Sequence, residues 1–266
     1  MCSCGKAHSR VAHVIRFKVV DASSASPQDL DRSVSIIRDR LRRLGLRKFH
    51  VGREGRFVAI SLRKIPSAAL LDAATRPARL EIYDLEPSLA EPSRDPSGHP
   101  GASTSRPAVQ GHEVVVTCGQ RGDRFCPGVS EAPPRRIYYY VFRHDPSKGI
   151  PALTNADLDH SARQNYGQAA DPIVRLVFTA RGSRKFQQLT RNEYRRGLQR
   201  NWPQHFAIVL DRDIKSFPQI DYTDPQLSDG ISGGGQITGI GSIAKANDLA
   251  LVLQTDALPV KFVRVR

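Results

Sequence analysis

The order of hydrophobic and polar residues in the first part of the chain predicts a strand followed by a helix. Residues 14–20 alternate between apolar and polar side chains, as in a strand that is buried on one face only. Ser26 and Pro27 are typical of a helix start. The apolar residues that follow recur at steps of three and four, which places them on one helix face; they are Leu30, Val34, Ile37, Leu41 and Leu44. Gly45 predicts the helix end.

Two further strands, a second helix and a fourth strand complete this unit. Residues 49–52 and 56–62 predict paired strands. Residues 68–74 predict a short helix, and residues 78–83 predict a strand. The order strand, helix, strand, strand, helix, strand is that of the ferredoxin-like fold. We therefore expect residues 11–85 to form a ferredoxin-like subdomain.

The regular pattern stops in residues 86–136, an insert rich in proline, serine and glycine that holds eight of the chain's 18 prolines. Residues 87–107 have almost no apolar side chains, so they predict a flexible loop or linker. Cys118 and Cys126 bracket a short polar loop further along. Two alternatives remain open for this pair: a disulfide, if the chain resides in an oxidising compartment, or two free thiols.

Regular patterns return in residues 137–266. Apolar runs that are typical of strands occur at residues 137–142, 172–178, 206–210 and 259–265. Two helices are predicted, one beginning after Thr179 and one after Ser242. We expect an α/β subdomain with its helices on one face of a mostly antiparallel sheet, closed by the last strand, so that the chain as a whole is α+β.

Six glycines fall within residues 230–241. The segment lacks the Gly-Lys-Ser/Thr ending of a phosphate-binding loop, and residues 233–235 fit no dinucleotide-binding motif. Glycine allows positive φ angles and close approach of two chain segments. This run therefore predicts a structural role between two ordered elements rather than a phosphate site.

The chain carries a net charge of +14, with 40 Lys and Arg against 26 Asp and Glu. Such a charge favours acidic partners but does not choose among nucleic acid, anionic lipid and acidic peptide. The consecutive Tyr138, Tyr139 and Tyr140 could stack on bases, and the helix around Arg195 is rich in arginine. Nucleic-acid binding is therefore a second hypothesis, although many of these arginines suit a solvated helix face.

No arrangement of residues predicts catalysis or a bound cofactor. Asp211 and Asp213 are carboxylates at a strand turn, where acidic side chains typically bond the backbone. Cys2, Cys4 and His8 match structural zinc spacing only loosely. We therefore expect a protein that is not an enzyme and that needs no cofactor or metal.

The hydropathy of the sequence predicts neither a transmembrane segment nor a secretion signal. The longest apolar runs, such as residues 249–253, are far shorter than the roughly 20 residues that a spanning helix needs. The first residues lack the apolar stretch of a signal peptide.

A colinear series of motifs in the second half resembles the large first periplasmic domain of SecD, the protein-export membrane subunit. The series runs from residues 153–158 through 174–178, 207–211 and 235–239 to 257–260. Residues that match the family pattern are Asp157, Leu176, Phe178, Asp211, Pro218, Gly235, Gln236, Ile237, Gly239, Leu258 and Pro259. In the first half, residues 36–45 resemble the base helix of that domain.

This resemblance implies a ferredoxin-like base and a head separated by an insertion. It also implies a non-enzymatic module on the extracytoplasmic face of the plasma membrane that binds unfolded preprotein late in translocation. Its partners would be the preprotein and, where a membrane part exists, SecF and the Sec translocon, whereas nucleic acid is not expected. A degenerate stand-alone domain without motor function is a further alternative.

Three positions depart from the family pattern. Arg212 stands where the family usually has glycine, Phe217 where a small residue is common, and Asp256 where glycine usually precedes Ala-Leu-Pro. These departures affect turns. They therefore put in question whether the turns of the head have the geometry that the family shows.

Overall fold

The computed structural model describes residues 13–20, 25–119, 125–130, 136–164, 172–238, 240 and 242–265. The chain divides into two compact units. The first combines the residues up to Pro77 with those from Thr255 onward, and the second comprises Ala78–Gln254.

The strands and helices of the described ranges are as follows. The strands are β1 (His13–Val19), β2 (Phe49–Glu54), β3 (Phe57–Leu62), β4 (Leu80–Asp84), β5 (Glu113–Gly119), β6 (Ile137–Arg143), β7 (Leu153–Thr154), β8 (Leu158–Gln164), β9 (Ile173–Phe178), β10 (Gln204–Leu210), β11 (Asp213–Ser216), β12 (Gln219–Ile220), β13 (Gly235–Ile237) and β14 (Phe262–Arg264). The α-helices are α1 (Pro27–Arg43), α2 (Ala68–Thr75), α3 (Leu85–Ser88), α4 (Ala180–Arg200) and α5 (Ile243–Leu253).

The first unit is a four-stranded antiparallel sheet in the order β14-β1-β3-β2, with α1 and α2 as its crossing helices. Its elements follow in the order strand, helix, strand, strand, helix, strand, which is the ferredoxin-like arrangement. The fourth strand is β14, however, and not residues 78–83 as expected. Those residues form β4, which pairs with β10 and β7 in the second unit. The base is thus closed by the C-terminal strand, which the sequence-based interpretation assigned to the head.

Local sequence explains α1. Ser26 accepts a hydrogen bond from the backbone N–H of Asp29, and the Asp29 carboxylate accepts one in return from the Ser26 N–H, which forms a capping box. The predicted apolar face is buried, with Ile37 and Leu41 fully inaccessible. Arg40 is buried as well, and its guanidinium donates to the backbone carbonyl of Asp256 at 2.8 Å. That bond ties α1 to the returning C-terminal segment.

The second unit contains a larger and a smaller sheet. The larger has the order β6-β5-β11-β10-β4-β7, with β12 added beside β10. The smaller is antiparallel and has the order β13-β9-β8. Apolar side chains from β4, β10, β9, α4 and α5 share one core on one face of the larger sheet. Both long helices of this unit therefore contribute to the same core, and the expected α+β class is confirmed.

The segment that follows β4 covers the opposite face of the larger sheet. Leu85 and Leu89 are buried there in a second core, together with side chains from β5, β6 and β10. The same segment also covers the outer edge of β6. Ser103 exchanges backbone hydrogen bonds with Tyr139, and the hydroxyl of Ser93 accepts from the N–H of Val141. Residues 87–107 are therefore packed against the sheet, and the expectation of a flexible linker was wrong.

Candidate functional site

Four of the residues that match the family pattern lie together in the smaller sheet. Leu176 and Phe178 are buried on β9, and Gly235 and Ile237 are buried on β13, where Gly235 is the register partner of Leu176. Gln236, between the last two, is exposed. These positions build the core between the smaller sheet and the helices, which gives them a structural role.

Asp157 joins this core through α4. Its buried carboxylate accepts from the ammonium group of Lys185 at 2.9 Å and from the backbone N–H of Thr154 at 3.1 Å. Its carbonyl accepts from the N–H of Thr179, the residue that caps α4. A Cβ on Gly182 would lie 2.2 Å from that carbonyl oxygen, so a side chain there is excluded. Asp157 therefore fixes the start of α4.

The remaining pattern residues are dispersed. Asp211 lies in the β10–β11 turn, where its carboxylate accepts from the N–H of Arg79 at 2.9 Å, and Pro218 follows β11. Leu258 and Pro259 belong to the first unit, where Leu258 is part of the core. Gly239 lies outside the described residues, as do Cys2, Cys4 and His8. The pattern residues therefore do not converge on one site.

The β10–β11 turn shows how one departure from the family pattern is accommodated. Asp211 and Arg212 both have positive φ angles, of 54° and 65°. Arg212 donates to the carboxylate of Glu81 and to the hydroxyl of Tyr83, each at 3.0 Å. Glu81 is only 3% exposed, and it also contacts the imidazole of His144. The ion pair to a buried carboxylate thus compensates for a backbone conformation that normally favours glycine.

Cys118 and Cys126 form a disulfide, and both are buried in the second core. Tyr138 and Tyr140 are buried in the same core, and the hydroxyl of Tyr140 donates to the carbonyl of Pro127 at 2.6 Å. Stacking of bases on all three consecutive tyrosines is therefore not available, because Tyr138 and Tyr140 share the strand face that points into the core.

A group of buried carboxylates lies beneath the C-terminal half of α4. Glu86 is buried and accepts from the backbone N–H of His205 at 3.0 Å and contacts its imidazole at 2.7 Å. Asp84 pairs with Arg196. Burial raises the pKa of Asp84 to about 6, against the opposing effect of Arg196. The Asp84–Arg196 pair anchors α4 to β4 of the larger sheet, and the Glu86 contacts tie α3 to β10.

Glu193 has a different environment within this group. Its side chain is inaccessible to solvent, and neither carboxylate oxygen has a hydrogen-bond partner among the described residues. Burial raises its pKa well above the ordinary value, and the charges of Asp84 and Glu86 raise it further. The protonated form of Glu193 is therefore favoured by the fold.

The end of α4 carries an exposed patch of apolar and aromatic side chains. Leu198 is 56% exposed and Trp202 is 41% exposed. The indole of Trp202 stacks on the imidazole of His99, with ring centroids 4.2 Å apart. Tyr222 packs beside the same helix end, where its hydroxyl donates to the side chain of Asn201 at 2.8 Å. We call Leu198, Trp202, Tyr222 and His99 the α4-end patch.

Each aromatic ring of the α4-end patch is held by a specific local contact. Asn201 ends α4 in a left-handed conformation, and the next N–H, that of Trp202, donates to the carbonyl of Gly197. A Cβ on Gly197 would lie 2.7 Å from Cβ of Tyr222, so glycine lets this residue approach the helix. His99 is fixed from its own loop, since its N–H donates to Asp95 at 2.8 Å.

Positive charge flanks the α4-end patch. Arg195 and Arg200 are exposed, and in the described part of the chain neither has a carboxylate within ion-pair distance. Arg191 and Arg196 on the same helix are paired, with Asp229 and Asp84. The patch therefore offers rigid apolar rings with cations at its rim, a composition that is enriched in protein-binding surfaces.

Sequence reasoning did not identify this patch. It did not consider Trp202 or His99 as site residues. One signal was available, because the only tryptophan of the chain lies two residues after an arginine-rich helix and precedes a proline. His99 could not have been found, since its segment was expected to be a linker.

Metal binding and membrane crossing have no support among the described residues. These ranges contain no group of three or more His, Cys, Asp or Glu side chains that could hold a metal ion. Within the same ranges, no helix combines the length and the apolar character that crossing a bilayer requires.

Comparison with known proteins gives consistent matches. Residues 141–260 match the family model of the SecDF P1 head subdomain. SecDF of Thermus thermophilus is 38% identical over 113 residues, which are 42% of this chain and 13% of that protein. SecD of Elusimicrobium minutum is 25% identical over 254 residues, which are 94% of this chain and 48% of that protein. The chain thus spans less than half the length of these relatives.

A solved structure agrees with these matches. The structure described as that of a membrane component SecDF that enhances protein export superposes with a TM-score of 0.60, covering 96% of this chain and 98% of that chain at 20% identity. At this identity the likeness shows the fold. Together with the family match, it confirms the resemblance to the first periplasmic domain of SecD that the sequence motifs indicate.

Proposed function

Since the chain carries the head subdomain and the fold of a SecD-type protein-translocase component, we propose that it holds unfolded preprotein during export, at the α4-end patch. The role is one of binding and not of catalysis. Its site is the extracytoplasmic face of a membrane, and its partners there are SecF and the Sec translocon. The disulfide between Cys118 and Cys126 supports this location, because structural disulfides persist in oxidising compartments.

The proposal rests on the exposed side chain of Trp202, which is held in place by its ring contact with His99. The apolar side chains of an unfolded polypeptide follow no fixed order. A protein that binds such chains therefore needs an exposed apolar surface with low affinity and little sequence specificity. Trp202 and Tyr222 provide such area at low entropic cost, because both are already held in place. Arg195 and Arg200 at the rim favour acidic segments of the client.

The proposal is tested with one secretory protein in two forms, folded and permanently unfolded by reduction and alkylation. Trp202 fluorescence reports binding directly, because it is the only tryptophan of the chain, provided that the client lacks tryptophan. We expect the unfolded form to bind and the folded form to leave the fluorescence unchanged. Equal binding of both forms would contradict the proposal.

A matched pair of variants locates the site. Leu198 and Ile137 are each 56% exposed and lie in the same unit, but only Leu198 belongs to the α4-end patch. Leu198→Ala should weaken binding of the unfolded client by about fivefold, because about 1 kcal/mol of apolar burial is lost. Ile137→Ala should leave the affinity unchanged. Equal losses in both variants would show that binding is not localised at this patch.

A further inference from the structure

The first unit carries a basic cleft that the proposed function does not use. It has a volume of about 730 Å³ and lies where α1 ends and β2 begins. Arg38, Arg42 and Arg47 line it together with Phe49 and His50. We call these five residues the arginine cleft. The guanidinium of Arg38 donates to the carbonyl of Val51 at 3.0 Å, which holds it against β2.

The arginines of the cleft are not neutralised within the described part of the protein. None of the three has a carboxylate within ion-pair distance. The carboxylates of the first unit that the structure describes are engaged elsewhere. The ion pairs are Arg16–Glu54, Arg32–Asp256, Arg43–Asp39, Arg53–Asp31 and Arg76–Asp72, and Asp29 caps α1. A cluster of unpaired cations is electrostatically unfavourable unless an external anion approaches it.

The same end of the sheet presents further cations and one apolar side chain. Phe49 of the cleft pairs with Leu62, the last residue of β3. Arg63 and Lys64 follow directly, and both are exposed and unpaired in the described ranges. Ile65, the next residue, is 48% exposed. The end of this sheet is thus a broad basic surface with an apolar side chain among the cations.

We propose that the arginine cleft and the adjoining Arg63, Lys64 and Ile65 bind the phosphate groups of an anionic phospholipid surface. Arginine presents a planar fork of donors that matches phosphate oxygens. Cations interspersed with an exposed apolar side chain are typical of surfaces that lie against lipid headgroups. The choice of lipid over free phosphate rests on the proposed function, which brings the chain to a membrane. Nucleic acid is treated as an outcome of the test, because the tyrosines that suggested base stacking lie in the second unit, where Tyr138 and Tyr140 are buried.

Binding to vesicles, measured by flotation without any polypeptide client, tests the proposal. We expect partition onto phosphatidylcholine vesicles that contain phosphatidylglycerol, and none onto phosphatidylcholine alone. Arg42→Ala combined with Arg47→Ala should reduce the partition by about 25-fold, since each cation near an anionic surface contributes roughly fivefold. The control is Lys18→Ala combined with Arg56→Ala. These exposed cations lie at the opposite end of the same sheet, and the control removes the same charge.

The control variant should retain its partition within about threefold. Equal losses in the two double variants, or equal binding to both kinds of vesicle, would overturn the proposal. Displacement from vesicles by inorganic phosphate but not by chloride at equal ionic strength would assign the cleft to free phosphate instead. Tighter binding of single-stranded DNA with the same arginine dependence would assign it to nucleic acid, which also overturns the lipid proposal. Client binding is measured without vesicles, so the two proposals fail independently.

Discussion

Glu193 is expected to make the second unit less stable as the pH rises. It lies on α4 with its carboxylate buried and without a hydrogen-bond partner among the described residues. Its pKa is raised by burial and by Asp84 and Glu86. Glu193→Gln keeps the size of the side chain and removes the charge. The variant therefore isolates the cost of holding this carboxylate inside the protein.

The sign follows from proton binding. Between the pKa of the unfolded chain, near the ordinary 4.5, and the higher pKa of the fold, the folded protein binds more protons than the unfolded chain. Stability therefore falls as the pH rises through this window and stays low above it. A buried polar group without a partner costs about 1–3 kcal/mol, and more when it is charged. Glu193→Gln should then gain at least about 1 kcal/mol near pH 8 and almost nothing below pH 4.5.

Urea unfolding followed by Trp202 fluorescence measures this difference. Trp202 lies in the second unit and is the only tryptophan, so the transition reports that unit. Glu91→Gln is the control, because Glu91 is exposed. The change should appear in the midpoint and not in the slope of the transition.

The wild type itself should lose stability between about pH 4 and pH 6, because the raised pKa of Asp84 acts with the same sign as that of Glu193. A Glu193→Gln variant whose gain is the same at low and high pH would refute the reasoning, since the gain would then come from packing. A loss of stability at high pH would show that the carboxylate is paired in solution.

Three other perturbations have defined outcomes. Arg212→Gly should lower the free energy of unfolding, measured by urea unfolding, by about 1–3 kcal/mol. The loss of the ion pair with Glu81 outweighs the backbone strain that glycine relieves at this positive φ angle. A gain would mean that backbone strain dominates. Reduction of the Cys118–Cys126 disulfide should cost about 2–4 kcal/mol in the same assay, and no change would contradict its structural role. Gly234→Ala should lower the free energy of unfolding by about 1–3 kcal/mol, because the new Cβ would lie 1.9 Å from a β9 carbonyl oxygen. Gly235→Ala is the control and should change the free energy little, because its Cβ would have no contact under 3.7 Å. Equal effects of the two substitutions would refute this distinction.

Several features of the fold could be predicted from local sequence. The capping box at Ser26 and the apolar periodicity that follows it determine α1. The apolar run at 172–178 predicted the central strand of the smaller sheet, and Thr179 was identified as the cap of α4. Two of the glycines in residues 230–241 permit close chain approach, as expected, since a Cβ at Gly230 or Gly234 would meet a backbone oxygen. Such features depend on neighbours within a few residues, so the sequence itself contains the necessary information.

Tertiary structure decided which strands are partners and which side chains remain exposed. Residues 78–83 and 262–264 both have the pattern of a strand, and periodicity cannot say which of them pairs with β1. Residues 87–107 predicted a linker because they contain almost no apolar side chains, yet Leu89 and Ser103 fit the face and edge of an existing sheet. The α4-end patch likewise exists only because distant segments meet at the end of one helix. Pairing and burial are long-range interactions, and local composition does not specify them.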